Sequence, residues 1–401
     1  DGNHLAELGG DGGMKFLDCI QISPPVSLVK GKIYSFIEMA NVSTVFREPD
    51  YIDVKAFSSG TKFEDGDTVI ARIEPCLQNG KRFFVKGIGK GFGSTEFLVF
   101  RPKTIDVDNK YLYYFMKTEY IQQLMVSSMT GATGRQRVNN DIFSDLEISL
   151  PDLPIQRRIA SILSAYDDLI ENNRRQIKLL EEAAQRLYRE WFVELRFPGH
   201  EGVKVMDGVP EGWMKGTVDN IVKLLSGYPF KSSEYVSSGK YRLITIKNVK
   251  DGEFSPDNVD YIDQLPDKVP SHCILTEGDI LLSLTGNIGR VCIVNGYNYL
   301  LNQRVAKLQT LHPAYAYCMF RSKEMLNKMT ALSNGVAQQN LSPIRAEKIR
   351  ILIPSSNLLF QFKNIVEPII SQIILLNNQI TFACEARDRL LPELMDGEME
   401  V

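Results

Sequence analysis

The sequence predicts a mixed α+β chain in which two repeated, strand-rich globular domains are separated by two long helices that pair as an antiparallel coiled coil. Three observations carry this. Short segments recur at a nearly constant offset, two long stretches space apolar residues three and four apart without a break, and Gly-centred turns lead into short apolar runs. A length of 401 residues, 44% hydrophobic and 24% charged, suits two or three domains with their own cores rather than a disordered chain.

Taken in order, residues 1–13 are Gly-rich, match nothing later, and are set aside as an unmatched N-terminal segment, a tag or a loose start. Residues 14–150 and 201–354 are the two globular domains. Tyr34-x-x-Ile37-x-x-x-Asn41-Val42 recurs as Tyr241-x-x-Ile244-x-x-x-Asn248-Val249, and Gly66-Asp67 before Thr68-Val69-Ile70-Ala71 recurs as Gly278-Asp279 before Ile280-Leu281-Leu282-Ser283. Each Gly-Asp pair reads as a tight turn entering a buried strand. Ile148-Ser149-Leu150-Pro151 returns as Ile351-Leu352-Ile353-Pro354, a strand closed by proline before a helix.

Residues 151–200 contain the first long helix, from about Ile155 to Phe192. Leu163, Tyr166, Ile170, Asn173, Ile177, Leu180, Ala184, Leu187 and Trp191 form a heptad seam. Residues 355–401 contain the second, with Val366, Ile369, Ile373, Leu376, Ile380, Ala383, Arg387, Leu390 and Leu394. Two apolar seams in one chain most simply bury each other, and an antiparallel pairing gives the halves a two-fold-like arrangement. Asn173 either fixes register at a cost in stability or meets a partner helix. Pro368 marks the first turn of the second helix or a kink.

Catalytic signatures are missing. Pro49-Asp50-x-x-Asp53-x-Lys55 holds its acids too close together for a metal-dependent nuclease core and reads as a solvated turn. Gly87-x-Gly89-x-Gly91-x-Gly93 leads into the strand-like Ser94–Phe100 rather than into a helix N-terminus, so it is no dinucleotide site. No Walker A, H-E-x-x-H, G-x-S-x-G or Asn/Asp-Pro-Pro-aromatic sequence occurs. The six cysteines lack a C-x-x-C pair and do not cluster with the four histidines, which predicts reduced thiols in a cytoplasmic protein and no metal site. No charged start precedes an apolar run, and the most apolar stretch, 365–376, is interrupted by Glu367, Pro368 and Gln372, so no membrane role is expected.

The formal net charge of -3 argues at first against nucleic acid. Its distribution argues the other way. Residues 14–150 hold 17 Lys/Arg and 16 Asp/Glu, and residues 201–354 hold 18 and 15, so both globular segments are mildly positive. Within them, Lys81, Arg82, Lys86, Lys90, Arg101 and Lys103 face one acid, Glu96, between Pro75 and Thr104. Arg290, Arg304, Lys307, Arg321 and Lys323 face none between Ile280 and Lys323. Two matching basic windows predict two stretches of phosphate contact.

Amide, hydroxyl and guanidinium groups interleaved with these bases suit base edges in the major groove. The candidate DNA-binding residues are Arg72, Gln78, Asn79, Lys81, Arg82, Arg135, Gln136 and Arg137 in the first half. In the second they are Thr285, Asn287, Arg290, Asn302, Gln303, Arg304, Gln338, Gln339 and Asn340.

These residues carry a family resemblance. Leu150-Pro151-x-x-x-x-Gln156-Arg157-Arg158-Ile159-Ala160, continuing through Leu163-Ser164, Asp167-Asp168, Asn172-x-Arg174-x-Gln176 to Ala184, Leu187 and Trp191-Phe192, resembles the central region of type I restriction-modification specificity subunits. Pro210-Glu211-Gly212-Trp213, Ser226-Gly227-Tyr228-Pro229-Phe230-Lys231-Ser232, Asn302-Gln303-Arg304-Val305 and Gly131-x-x-Gly134-Arg135-Gln136-Arg137-Val138 add to it. The C-terminal copy departs from the central one in lacking Arg-Arg. The resemblance implies two target recognition domains, each reading half of a bipartite double-stranded DNA site, with the helices as spacer and dock. It also implies two modification subunits that methylate adenine with S-adenosylmethionine, and restriction/translocase subunits. S-adenosylmethionine, ATP and Mg would then sit on those partners, with no cofactor on this chain. The competing reading is a coiled-coil scaffold whose globular domains bind proteins.

Overall fold

The computed structural model describes residues 13–333 and 340–399. The unmatched N-terminal residues up to 12, and Gln338 and Gln339, lie outside them. The chain divides into two compact units, Asp1–Asn172 with Ile380–Val401 and Asn173–Gln379, and the division falls inside both long helices.

In the first unit the apolar runs become a four-stranded antiparallel sheet in the spatial order Ile20–Ile22, Phe97–Pro102, Thr68–Ala71, Arg82–Phe84. Alternation explains why its strands are apolar on both sides. Ile70, Phe84, Leu98 and Phe100 turn toward a helical layer with Tyr111–Met116, while Val69, Phe83, Phe97 and Val99 turn toward a second sheet. That sheet orders Asp53–Ala56, Ile33–Ile37, Lys90–Gly93, Thr61–Glu64, with one parallel pair between Ile33–Ile37 and Lys90–Gly93.

The second unit repeats this strand for strand. One sheet orders Val222–Ser226, Val305–Thr310, Ile280–Ser283, Val291–Ile293; the other orders Tyr261–Ile262, Tyr241–Ile244, Tyr299–Leu301, Ile274–Leu275, and its parallel pair falls at the equivalent place. The sequence repeat is therefore a repeat of topology.

Local chemistry accounts for the turns that the repeat marks. Gly66 and Gly278 take φ of +94° and +89°, which glycine adopts without penalty. The following Asp67 and Asp279 each accept the backbone N–H three residues earlier, from Glu64 and Thr276, at 2.8 Å. The glycine-dense run divides in two: Gly87 and Gly89 form a left-handed turn, whereas a Cβ at Gly93 would lie 2.5 Å from the carbonyl of Ile37 in the neighbouring strand.

The first long helix spans Leu153–Tyr188, with a π turn over Arg189–Val193, and the second spans Ser356–Met395. Pro368 therefore lies well inside the second helix, not in its first turn, and its missing N–H falls in the helix interior. Within each unit the helical segments run antiparallel. In the first, Ile159, Ala160 and Leu163 share a core with Leu391, Leu394 and Met395, and Asp167 meets Arg387. In the second, Asn173 meets Gln379, and Trp191 and Phe192 pack on Phe362. All eighteen seam positions are buried or half-buried. By length and composition the second helix would suffice to cross a membrane, yet one residue of its seam is the charged, buried Arg387.

Asn173 is 2% exposed and donates to Gln379 at 3.1 Å. Asn173→Leu is expected to raise the unfolding midpoint, by about 2–4 °C per kcal/mol gained, because the freed Gln379 is exposed and keeps water as its partner. A thermal melt of the full chain checks this, and a lower midpoint would contradict it.

Candidate nucleic-acid interface

In both units the candidate readers gather where the central strand, Thr68–Ala71 or Ile280–Ser283, runs out of its sheet. In the first unit Arg72 N–H donates to the Glu96 carbonyl at 2.9 Å and Val138 N–H donates to the Arg72 carbonyl at 2.9 Å. Ile73 pairs with Arg137, and Glu74 N–H donates to the Gln136 carbonyl at 2.9 Å. The topology thus joins two stretches some sixty residues apart, 72–81 and 130–138. Gln78, Asn79, Arg135 and Arg137 are exposed on this rim, and Arg72, Lys81 and Gln136 are half-buried.

In the second unit the same backbone pattern recurs. Leu284 N–H donates to the Arg304 carbonyl at 2.9 Å, Leu341 N–H donates to the Leu284 carbonyl at 2.8 Å, and Thr285 pairs with Asn340. Asn287, Gln303, Arg304 and Asn340 are exposed and Arg290 is half-buried. Arg304 takes φ +73°, a left-handed conformation that costs a non-glycine residue on the order of 1–3 kcal/mol and gathers at functional sites. Gly227 belongs to the support beneath: its Cβ would lie 2.1 Å from the Asn302 carbonyl oxygen, so only glycine allows Tyr228 to pair with Asn302.

Several expected readers are corrected. Arg82 is 6% exposed, donates to the Met116 carbonyl at 2.5 Å and also bonds Gln122, so it braces the core; burial lowers its pKa from the usual arginine value. Thr285 is 1% exposed, closed in where its backbone pairs with Asn340. Asn302 is 7% exposed, and its side chain is used on Tyr235 and on the Gln303 N–H.

The two basic windows are also not two basic faces, because acids remote in sequence neutralise much of each. Lys86 pairs with Asp168 at 3.0 Å, Arg101 with Asp67 at 2.6 Å, Lys307 with Asp279 at 2.7 Å, and Arg321 with Glu181. Lys81 donates to the Met39 carbonyl at 2.7 Å, and Lys103 donates to the Leu17 carbonyl at 3.2 Å.

Sequence reasoning missed two acids that organise the first rim. Glu74 accepts the Gly134 N–H at 2.9 Å and the Gln78 amide at 3.4 Å. Glu96 accepts Arg137 Nε at 2.9 Å and Nη2 at 2.7 Å, and these bonds hold its carboxyl below the usual glutamate range. The signal for Glu96 was its position as the one acid in a basic window.

A family model described as "Type I restriction modification DNA specificity domain" matches residues 29–182 and 210–381, one copy per repeat. The MjaIX specificity subunit of Methanocaldococcus jannaschii is 27% identical over 307 residues, 74% of this chain and 70% of that protein. The HindI specificity subunit of Haemophilus influenzae is 23% identical over 403 residues, covering 83% and 86%. Among solved structures, the type I restriction-modification S subunit from M. genitalium superposes with a TM-score of 0.55 at 15% identity over 97% of each chain, which shows a shared fold. With two copies of its domain spanning most of the sequence, the chain belongs to the type I restriction-modification DNA specificity family.

Proposed function

We propose that this chain is the sequence-reading subunit of a type I restriction-modification complex, in which each unit reads one half of a bipartite DNA site. The observation that carries the reading is the duplication. Two matches to the specificity domain coincide with two copies of one sheet topology, and each copy ends in an exposed rim of amide and guanidinium groups. Asn and Gln pair with adenine and Arg with guanine in the major groove, and the remaining bases meet phosphate.

The long helices set the gap between half-sites and dock two modification subunits. Leu169, Leu179, Leu375 and Phe382 stay 44–65% exposed on these helices, which leaves apolar side chains available to such partners. Adenine methylation with S-adenosylmethionine, and the ATP- and Mg-dependent work of the restriction/translocase subunits, belong to those partners in the cytoplasm. This chain contributes recognition and no catalytic group.

Arg290→Ala and Arg304→Ala test the division of labour. In gel shifts of the assembled complex, each should weaken binding to sites intact in the second unit's half and leave the response to changes in the first half-site as in the wild type. If the lost contact is to phosphate, the salt slope should fall by about one. Equal loss of discrimination at both half-sites would contradict the assignment.

A further inference from the structure

We infer that Glu96 is a positioning residue that fixes Arg137 to read a guanine in the first unit's half-site. This rests on the reading above that the rim meets bases. Arg137 is pinned twice through its backbone, its N–H donating to the Thr130 carbonyl at 2.9 Å and its carbonyl accepting the Thr130 N–H at 3.0 Å. Its side chain lays the Nε–Nη2 edge on Glu96, with Nε 3.1 and 2.9 Å from the two carboxylate oxygens and Nη2 2.7 Å from one of them. Nη1 has no protein partner among the described residues, so the outer Nη1–Nη2 end of the fork is presented, already oriented, to solvent. Two parallel N–H donors in that geometry match the O6 and N7 acceptors that guanine shows side by side in the major groove.

The energetics favour positioning over stability. The Arg137 side chain is 47% exposed and that of Glu96 24%, and an ion pair this open adds little to folding because water and salt screen it. A carboxylate on a DNA-facing rim repels phosphate, so fold stability alone gives little reason for it. Orienting a long, flexible side chain before binding offsets that repulsion, because less rotamer freedom is lost on contact.

At the equivalent described positions the second unit carries other residues. Arg304 occupies the place of Glu96, since its carbonyl accepts the Leu284 N–H as the Glu96 carbonyl accepts the Arg72 N–H. Asn340 occupies the place of Arg137, opposite Thr285 as Arg137 is opposite Ile73. Among the described residues the Glu-held arginine is therefore a feature of the first unit.

The test uses the full chain assembled with its modification subunits and duplexes in which every base pair of the recognised site is substituted in turn. Arg137→Ala should abolish the preference for one G·C pair, a loss of roughly 5- to 150-fold in discrimination. Glu96→Ala should relax discrimination at that same pair at least fivefold, with an unchanged unfolding midpoint and with binding to the substituted duplex equal to or tighter than wild type. A uniform loss at all sequences, a changed preference at a different pair from Arg137→Ala, or a pair other than G·C would overturn the inference. A wild-type complex with a bipartite preference that ignores Arg137 sinks this inference alone; a wild-type complex with no sequence preference sinks the functional reading beneath it as well.

Discussion

Replacing Asp167 with alanine is expected to destabilise the first unit by about 3 kcal/mol, the lower end of what breaking a buried ion pair costs. Asp167 is 1% exposed, accepts Arg387 Nη1 at 2.6 Å and accepts the Tyr114 hydroxyl at 2.5 Å. Burial works against the charge on Arg387, but Asp167 and Asp388 outweigh it and hold its pKa above the usual arginine value. Without Asp167, Arg387 would keep Asp388 as its one acid among the described residues, and the Tyr114 hydroxyl would lose its acceptor. The neighbouring Asp168 is the control: its side chain is 51% exposed, and its partner Arg47 retains Glu171 at 2.7 Å, so Asp168→Ala should cost no more than about 1 kcal/mol. Chemical denaturation of the full chain reads both. Equal losses for the two variants would show that the buried pair does not fasten the recognition domain to its helices.

The second large effect concerns the DNA site rather than stability. A seven-residue insertion keeps a heptad seam in phase. Placed after Gln176 in the first helix and matched after Leu375 in the second, it lengthens each helix by about 10 Å. If the helices set the gap, the non-specific stretch between half-sites should grow by about three base pairs, at roughly 3.4 Å each, with both half-sites unchanged. Methylation of a series of duplexes with varied gaps measures this. An unchanged gap would remove the spacer role, whereas a changed half-site would mean that the insertion had disturbed a recognition domain.

Much of the architecture was legible because it rests on periodicity. The seam from Leu163 to Trp191 repeats at three and four, and burial follows that spacing. Gly66-Asp67 and Gly278-Asp279 marked equivalent turns because the same left-handed glycine and the same aspartate acceptor recur. The reading rim was legible as a neighbourhood and not as a set of side chains. Asn287 and Gln303 are exposed, whereas Thr285 and Asn302 within the same short runs are buried where their backbones pair with Asn340 and Tyr228, and that pairing is not visible in the sequence. Charge density misled for a related reason. Arg321 is neutralised by Glu181, 140 residues away in sequence, and Lys307 by Asp279, so a linear window cannot show which cations remain free. The compact units divide at 172/173 and 379/380, inside the helices, because the two halves of each helix pack into different cores.

The most direct measurement maps every adenine methylated in DNA exposed to the assembled complex, first with the wild-type chain and then with Arg304→Ala. The account predicts two fixed stretches separated by a gap of constant length and no base preference, with Arg304→Ala relaxing one stretch only. A single continuous recognition sequence, or relaxation of both stretches at once, would contradict it.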